Sequence, residues 1–298
     1  MGAPLFKSTF QVKDYDLDAT LDSGQAFRWT REGGKWVGVI AGRWVSLGMA
    51  NDGLIVRTTS EPGDWHWLRD YLQLDVEYDE IVESFPDDEA IQGAVKACRG
   101  LRLLRQEPWE CLASFICSSS KQIVQIRQIV KNLCDRFGEH IAVPDESSDG
   151  RAFPTARRLA RCSEGELREC KMGYRAPYVL GAAKVVTDGG VDLNALNDLP
   201  CAEARRELMK LPGVGRKVAD CVLLFAYGFE EAFPIDVWIG RGLNQLYFPK
   251  REPNRKQLEQ FTSTYFGPHA GYAQQYLFHY VRTVLEKPVR GRALAKKK

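Results

Sequence analysis

The sequence predicts an α+β protein that is mostly α: an N-terminal antiparallel β-sheet domain with flanking helices, then an all-α region built around a helix-hairpin-helix. Three observations predict it. From about Phe6 to Thr59 apolar residues alternate with period two between glycines, as in WVGVIAGRWVSLG and LIVRTT. From Asp64 onward the apolar spacing turns helical, and ELMKLPGVGRKVADCVLLFAYG joins two helical stretches through a turn holding two glycines. The expected boundaries are 1–105 for the sheet domain with its helices, 106–290 for the helical region and 291–298 for a basic, disordered tail.

Taken in order, the alternating segments are expected as antiparallel strands joined by tight turns. DWHWLRDYLQL and DEAIQGAVKACRGLRLL supply the first helices. Pro108 suits the first turn of a helix carrying WECLASFICSS, because its missing N–H is unpaired there in any case. KQIVQIRQIVKNLCDRF follows, with Ile123, Ile126, Ile129, Val130 and Leu133 on its apolar face. DESSDGRAF is a loop, and RAPYVLGAAKVVTDGG and CAEARRELMK are two more helices separated by a Gly-Gly stop and an Asn/Pro-rich linker.

With 298 residues, 44% of them hydrophobic, the chain can bury one large core or two medium ones. No apolar run approaches the roughly 20 residues of a membrane helix, and the N-terminus lacks the apolar centre of a signal peptide, so no membrane partner and an intracellular location are expected. The eight cysteines are scattered without a CxxC pair, which predicts reduced thiols. The first 100 residues hold 10 Lys and Arg against 17 Asp and Glu, the remainder 31 against 22. A polyanion would therefore meet the C-terminal two-thirds.

The stretch that carries chemistry is the turn Leu211-Pro212-Gly213-Val214-Gly215 between two helices. Gly213 and Gly215 permit positive φ and close backbone approach, and the second helix, opening at about Arg216, points free N–H groups outward where its dipole favours a phosphate oxygen. A bare GxG would be a mere connector. With a helix on each side and a lysine directly after, Gly213, Val214, Gly215 and Arg216 become the expected DNA phosphate contacts. Lys217 lies in the first turn of that second helix, where the dipole favours the neutral amine and hence a nucleophile. Its ordinary role would be a phosphate-contacting cation. Asp236, in FPIDVWIGRGL, is an expected N-cap whose carboxylate is also suited to stabilising positive charge on a sugar ring.

LPGVGRKVADC followed by FPIDVWI resembles the signature of the helix-hairpin-helix DNA glycosylases, and a lysine in the hairpin helix resembles the bifunctional branch that couples base excision to strand nicking. SGQAFRW (23–29), RQEPWECLASFICSS (105–119), MGYRAPYV (172–179) and GPHAGYAQQYLF (267–278) are similar to the 8-oxoguanine DNA glycosylase family, in order over roughly residues 20 to 280. The resemblance implies excision of an oxidised purine from double-stranded DNA by base flipping, with Lys217 forming a Schiff base and Asp236 assisting, by a monomer that needs no cofactor. It also implies a structural cation on the backbone carbonyls of Met209, Leu211 and Val214. No cysteine follows Cys221, so the iron–sulfur cluster of some related glycosylases is not expected.

Residue by residue, the resemblance gives Gly24 a carbonyl that accepts from N7–H of 8-oxoguanine and would face a lone pair in guanine. Otherwise Gly24 is a turn glycine. Gln274 and Phe278, one helical turn apart, become the base-edge reader and the stacking ring, with Cys221 as the opposite wall; Phe278 and Cys221 would serve equally well as core. Tyr174 matches the wedge inserted into the vacated stack, and Arg175 a contact to the partner base, where the bland alternative is an exposed turn.

Three positions depart from the family pattern. Ser120 stands where the family has an asparagine, Gln125 where it has an arginine, and Trp238 where it often has a histidine. The first two remove readers of the base opposite the lesion. Two other classes remain open at this stage: another helix-hairpin-helix glycosylase, such as an alkylated-base enzyme acting through water, and a non-catalytic DNA-binding protein. Lys217 and the Gly24 segment argue against the first, and the Lys217–Asp236 pair against the second. The four histidines lack ligand spacing for a metal.

Overall fold

In the computed structural model, which describes residues 3–51, 53–144 and 150–285, the chain opens on strand β1 (Phe6–Phe10) and helix α1 (Leu17–Asp22). Strands β2 (Thr30–Glu32), β3 (Lys35–Ile40), β4 (Arg43–Ala50) and β5 (Gly53–Thr58) follow. They form one antiparallel sheet in the order β1-β5-β4-β3-β2. The β2–β3 and β3–β4 hairpins turn through residue pairs with positive φ, Gly33-Gly34 (54° and 79°) and Ala41-Gly42 (45° and 77°). That geometry matches the right-handed strand twist. The expected tail 291–298 lies outside the described residues.

The helices are α2 (His66–Leu72), α3 (Tyr78–Glu83), α4 (Glu89–Ala97), α5 (Pro108–Cys117), α6 (Ile123–Phe137), α7 (Ala156–Ala160), α8 (Glu164–Leu167), α9 (Ala176–Thr187), α10 (Cys201–Leu208), α11 (Arg216–Val222), α12 (Val237–Tyr247), α13 (Arg255–Tyr265) and α14 (Ala270–Tyr280). Single π-turns continue α11 (Leu223–Tyr227) and α14 (Val281–Leu285). No helix among the described residues is long and apolar enough to cross a membrane.

Helix α1 corrects the expectation of uninterrupted strands up to Thr59. Asp16 caps it, accepting from Ala19 N at 2.8 Å, and Leu17 and Leu21 recur at helical spacing with both side chains buried. Six residues are too few for that spacing to stand out from the flanking alternation.

Two apolar cores result. Trp29, Trp36, Val45, Leu47, Leu54 and Val56 of the sheet pack with Leu17, Leu21, Leu68 and Leu72. The larger core gathers the helices, and it includes Tyr78, Ile81, Ile91 and Ala94. Helices α3 and α4 thus pack with the helical core, across the boundary at 105 that the sequence suggests. The Tyr78 and Tyr276 hydroxyls, 2.6 Å apart, link α3 to α14.

The two cores are joined through the segment after α1. Gln25, fully buried, donates to the carbonyls of Thr20 (2.9 Å) and Arg102 (2.8 Å) and to Ser23 Oγ (3.1 Å), and its Oε1 accepts from Leu104 N at 2.8 Å. Its own carbonyl accepts from Gln106 Nε2 at 2.8 Å, and the Ser23 carbonyl accepts from Gln275 Nε2 at 3.1 Å. Thr20, Ser23, Gln25, Arg102 and Gln275 are buried, so a polar group left there without a partner is costly. Gln25→Leu keeps the volume and removes the donors and acceptor, so it is expected to cost on the order of 3 kcal/mol. Urea unfolding tests this, and an unchanged midpoint would show the network to be dispensable.

Candidate active site

The hairpin forms by successive three-residue turns, Leu211 N to Leu208 O and Val214 N to Leu211 O, each 3.1 Å. Gly213 has φ +78°, and a Cβ there would lie 2.6 Å from Tyr178 Cβ and 3.3 Å from Ile116 Cγ2. Only glycine fits. Gly215 corrects the sequence expectation of positive φ: it sits at φ −92° as the N-cap of α11, with nothing within 4 Å of an added Cβ. Its value is therefore an open surface over the first turn of α11, where no side chain caps the free N–H groups. Val214 is also corrected. Its side chain is buried and its N–H is spent on Leu211, so it offers no donor to a phosphate. The Leu211 carbonyl, which accepts from Val214 N, keeps a second lone pair beside that bond.

Asp220 locks the hairpin helices together. Its nearly inaccessible carboxylate meets Arg205 Nε of α10 at 2.5 Å and Arg216 Nε at 3.6 Å, and Arg216 reaches Glu259 at 3.4 Å. Burial raises the Asp220 carboxyl above the ordinary carboxylate range, and the two arginines work against that rise.

Lys217, on the first turn of α11, is half-buried; its Nζ donates to Ser118 Oγ at 3.0 Å and lies 5.1 Å from the centre of the Phe115 ring. Ser118, at the C-terminus of α5, is fixed in turn by donating to the Phe115 carbonyl at 2.7 Å. Cys221 lies one turn further along α11. Burial pushes its thiol up to about 12 against the pull of the Lys217 charge, which keeps it a neutral wall. Asp236 caps α12, its Oδ1 accepting from Ile239 N at 2.8 Å.

Lys217, Asp236, Ser118 and Trp238 line both of two adjoining spaces. One is a largely apolar cavity of about 460 Å³ whose walls include Gly24, Cys221, Gln274, Phe278 and Arg282. The other is an open groove of about 790 Å³ past Ser120, Gln125, Gly213 and Gly215. Gly24 adopts φ +83°, and a Cβ on it would come within 2.6 Å of Ile123 Cδ1. Gln274 is 4% exposed, and its Oε1 is buried with no partner among the described residues. The six residues expected at the cavity and its chemistry are thus brought together from the turn after α1, from α11, from the N-cap of α12 and from α14.

Tyr174 is half-exposed on the turn before α9, edge-on to Tyr178. Arg175, expected to contact the partner base, is turned inward in the DNA-free protein. It is 3% exposed and donates to the Ser119 carbonyl (Nε, 2.8 Å), the Met172 carbonyl (3.3 Å) and the Tyr174 hydroxyl (3.0 Å). Its guanidinium braces the turn after α5. Ser120 on that turn has φ +53°, a conformation that asparagine tolerates better than serine, and Gln125 Oε1 accepts from Gln122 N at 3.2 Å in a capping box. Sequence reasoning missed Ser118, Gln25, Gln275 and Arg282. All four lie in or beside quoted motifs, but only distant contacts give them a role.

A lysine and a carboxylate at the junction of an apolar cavity and an open groove, beside a helix-hairpin-helix, define a base-excision DNA glycosylase. Residues 7–112 match the family described as 8-oxoguanine DNA glycosylase, N-terminal domain, and residues 113–268 the HhH-GPD superfamily of base excision DNA repair proteins. The chain belongs to the 8-oxoguanine DNA glycosylase family. It is 33% identical to an N-glycosylase/DNA lyase of Arabidopsis thaliana, over 88% of this chain and 76% of that one. With a probable N-glycosylase/DNA lyase of Methanothermobacter thermautotrophicus it shares 29%, over 91% and 95%. Among solved structures, Clostridium acetobutylicum 8-oxoguanine glycosylase/lyase, in complex with double-stranded DNA containing cytosine opposite 8-oxoguanine, matches with a TM-score of 0.85. The two are 29% identical, over 95% of this chain and 99% of that one.

The hairpin lock is testable. Asp220→Ala leaves Arg205 without its buried partner and is expected to cost about 3 kcal/mol, whereas Asp135→Ala, which breaks the exposed pair with Lys131, costs well under about 1 kcal/mol. Equal shifts in thermal midpoint for the two variants would contradict this assignment.

Proposed function

We propose that the chain excises 8-oxoguanine from duplex DNA and then nicks the strand, with Lys217 as nucleophile and Asp236 as its carboxylate partner. The observation that carries this is the shared position of Lys217 and Asp236, both of which line the cavity and the groove at once. Family membership makes it a bifunctional N-glycosylase and lyase. The lesion, extruded from the stack, enters the cavity while the DNA backbone stays in the groove.

The nitrogen lone pair of Lys217 bonds C1′ as the glycosidic bond breaks, and the electron pair of the glycosidic bond leaves with the base, which takes up a proton. Asp236 faces the positive charge that builds on the sugar, a role compatible with capping α12 because the cap uses only one of its oxygens. Loss of the C1′ amine proton and ring opening give the Schiff base. Removal of a C2′ proton then expels the 3′ phosphate, which breaks the strand. Neither step calls for a cofactor. A cation on the carbonyls of Met209, Leu211 and Val214 would bridge the hairpin to a phosphate and take no part in bond breaking.

Gly24 is the discriminating wall: its carbonyl accepts from the N7–H of 8-oxoguanine and opposes the N7 lone pair of guanine. Phe278 stacks on the base and Gln274 meets its edge. Tyr174 fills the vacated stack, and the N–H groups of the α11 N-terminus at Gly215 and Arg216 take a phosphate. The enzyme acts as a monomer on DNA inside the cell.

Borohydride reduction with duplex DNA containing 8-oxoguanine is expected to trap a covalent protein–DNA adduct, and Lys217→Gln is expected to abolish it. Excision by wild type without any trapping would refute the amine mechanism. Binding without excision would instead indicate a non-catalytic DNA-binding role.

Ser120, Gln125 and the inward-turned Arg175 leave the partner base without charged or bidentate readers, each worth about 1–3 kcal/mol of discrimination where present. Single-turnover excision rates opposite C, A, G and T are therefore expected to be similar. A strong cytosine preference would overturn this.

A further inference from the structure

Two buried polar atoms of opposite sense are left without protein partners at the cavity. Gln274 Oε1 is an acceptor, and Arg282 Nη1 is a donor. Arg282 stands on the π-turn that continues α14, a local irregularity that re-aims a side chain toward the cavity. Its Nη2 donates to the carbonyl of Asp22, at the C-terminus of α1, at 2.6 Å, and its guanidinium lies 5.6 Å from the centre of the Phe278 ring. Nη1 is held 3.1 Å from the point where a Cβ on Gly24 would stand.

Capping α1 explains Nη2 alone. The Asp22 carboxylate is engaged by Arg127 Nη2 at 2.7 Å, while Arg282 meets Asp22 at its backbone carbonyl. A buried donor with charge behind it selects an electron-rich oxygen. A ligand that satisfies both orphans must present a donor edge to Gln274 and a carbonyl to Arg282. An oxopurine does both, with carbonyl oxygens at C6 and C8 on either side of N7.

We propose that Arg282 reads the extruded base, its Nη1 donating to the carbonyl oxygen that flanks N7, O6 or O8, beside the Gly24 carbonyl. The proposal rests on the cavity being the lesion pocket. It makes Arg282 a second determinant of base recognition, supplying an attractive contact where Gly24 supplies the discriminating one.

The test uses the full-length chain with Arg282→Met, which keeps the length and apolar stem of the side chain. Single-turnover excision of 8-oxoguanine is expected to fall about 10- to 100-fold, while strand cleavage and borohydride trapping at a base-free abasic site stay within about twofold of wild type. Arg282→Lys, which retains a charged donor, recovers part of the loss. An 8-oxopurine lacking the C6 oxygen assigns the contact: the same loss places it at O8, and disappearance of the loss places it at O6. Unchanged excision of 8-oxoguanine, or an equal loss on abasic DNA, overturns the proposal. Failure of wild type to excise 8-oxoguanine would instead remove the lesion-pocket reading beneath it.

Discussion

The amide of Gln25 is the constraint on which the rest of this molecule depends. It is buried where the sheet domain meets the helices, and it satisfies carbonyls of α1 and of the 101–106 segment while its neighbours are tied down by Gln106 and Gln275. The carbonyls on either side of Gly24 are thereby occupied by protein. A polar network of this kind is costly unless complete, and here every group has a partner. Its reward is a rigid backbone on either side of Gly24.

The chemistry is held by a different set of forces. Lys217 and Asp236 both sit at helix N-termini, the one inside the first turn and the other as cap; the backbone N–H of Ile239 fixes the Asp236 carboxylate, and Ser118 fixes the Lys217 amine. The buried Arg205–Asp220 pair holds α10 against α11 and keeps the hairpin turn from opening. Base selection and bond breaking thus rest on separate interactions that share only the cavity wall.

How far this was legible in the sequence follows from the range of the interactions. The sheet, the helices from Asp64 onward, the hairpin and the cap at Asp236 are local features, carried by periodicity, glycine placement and side-chain chemistry within a few residues. Gly24, Gln274, Phe278 and Cys221 were legible through family likeness, and the cavity gathers them as that likeness implied. What escaped was non-local. Only the fold brings the Ser119 carbonyl to Arg175, and only the fold brings Arg282 to Gly24. Helix α1 escaped for the opposite reason, its signal being too short.

The cavity walls come from residues 22–27, 115–127, 217–238 and 274–282, and Gly24 is supplied by the strand-rich N-terminal part of the chain while the lysine and carboxylate are supplied by the helical part. The hairpin belongs to one core, while Gly24 reaches the cavity from the segment where the two cores meet. Under the proposed function, grip on the DNA backbone and choice of base are therefore carried by different parts of the molecule. A change that loosens their junction is then expected to weaken the choice of base before the hold on DNA.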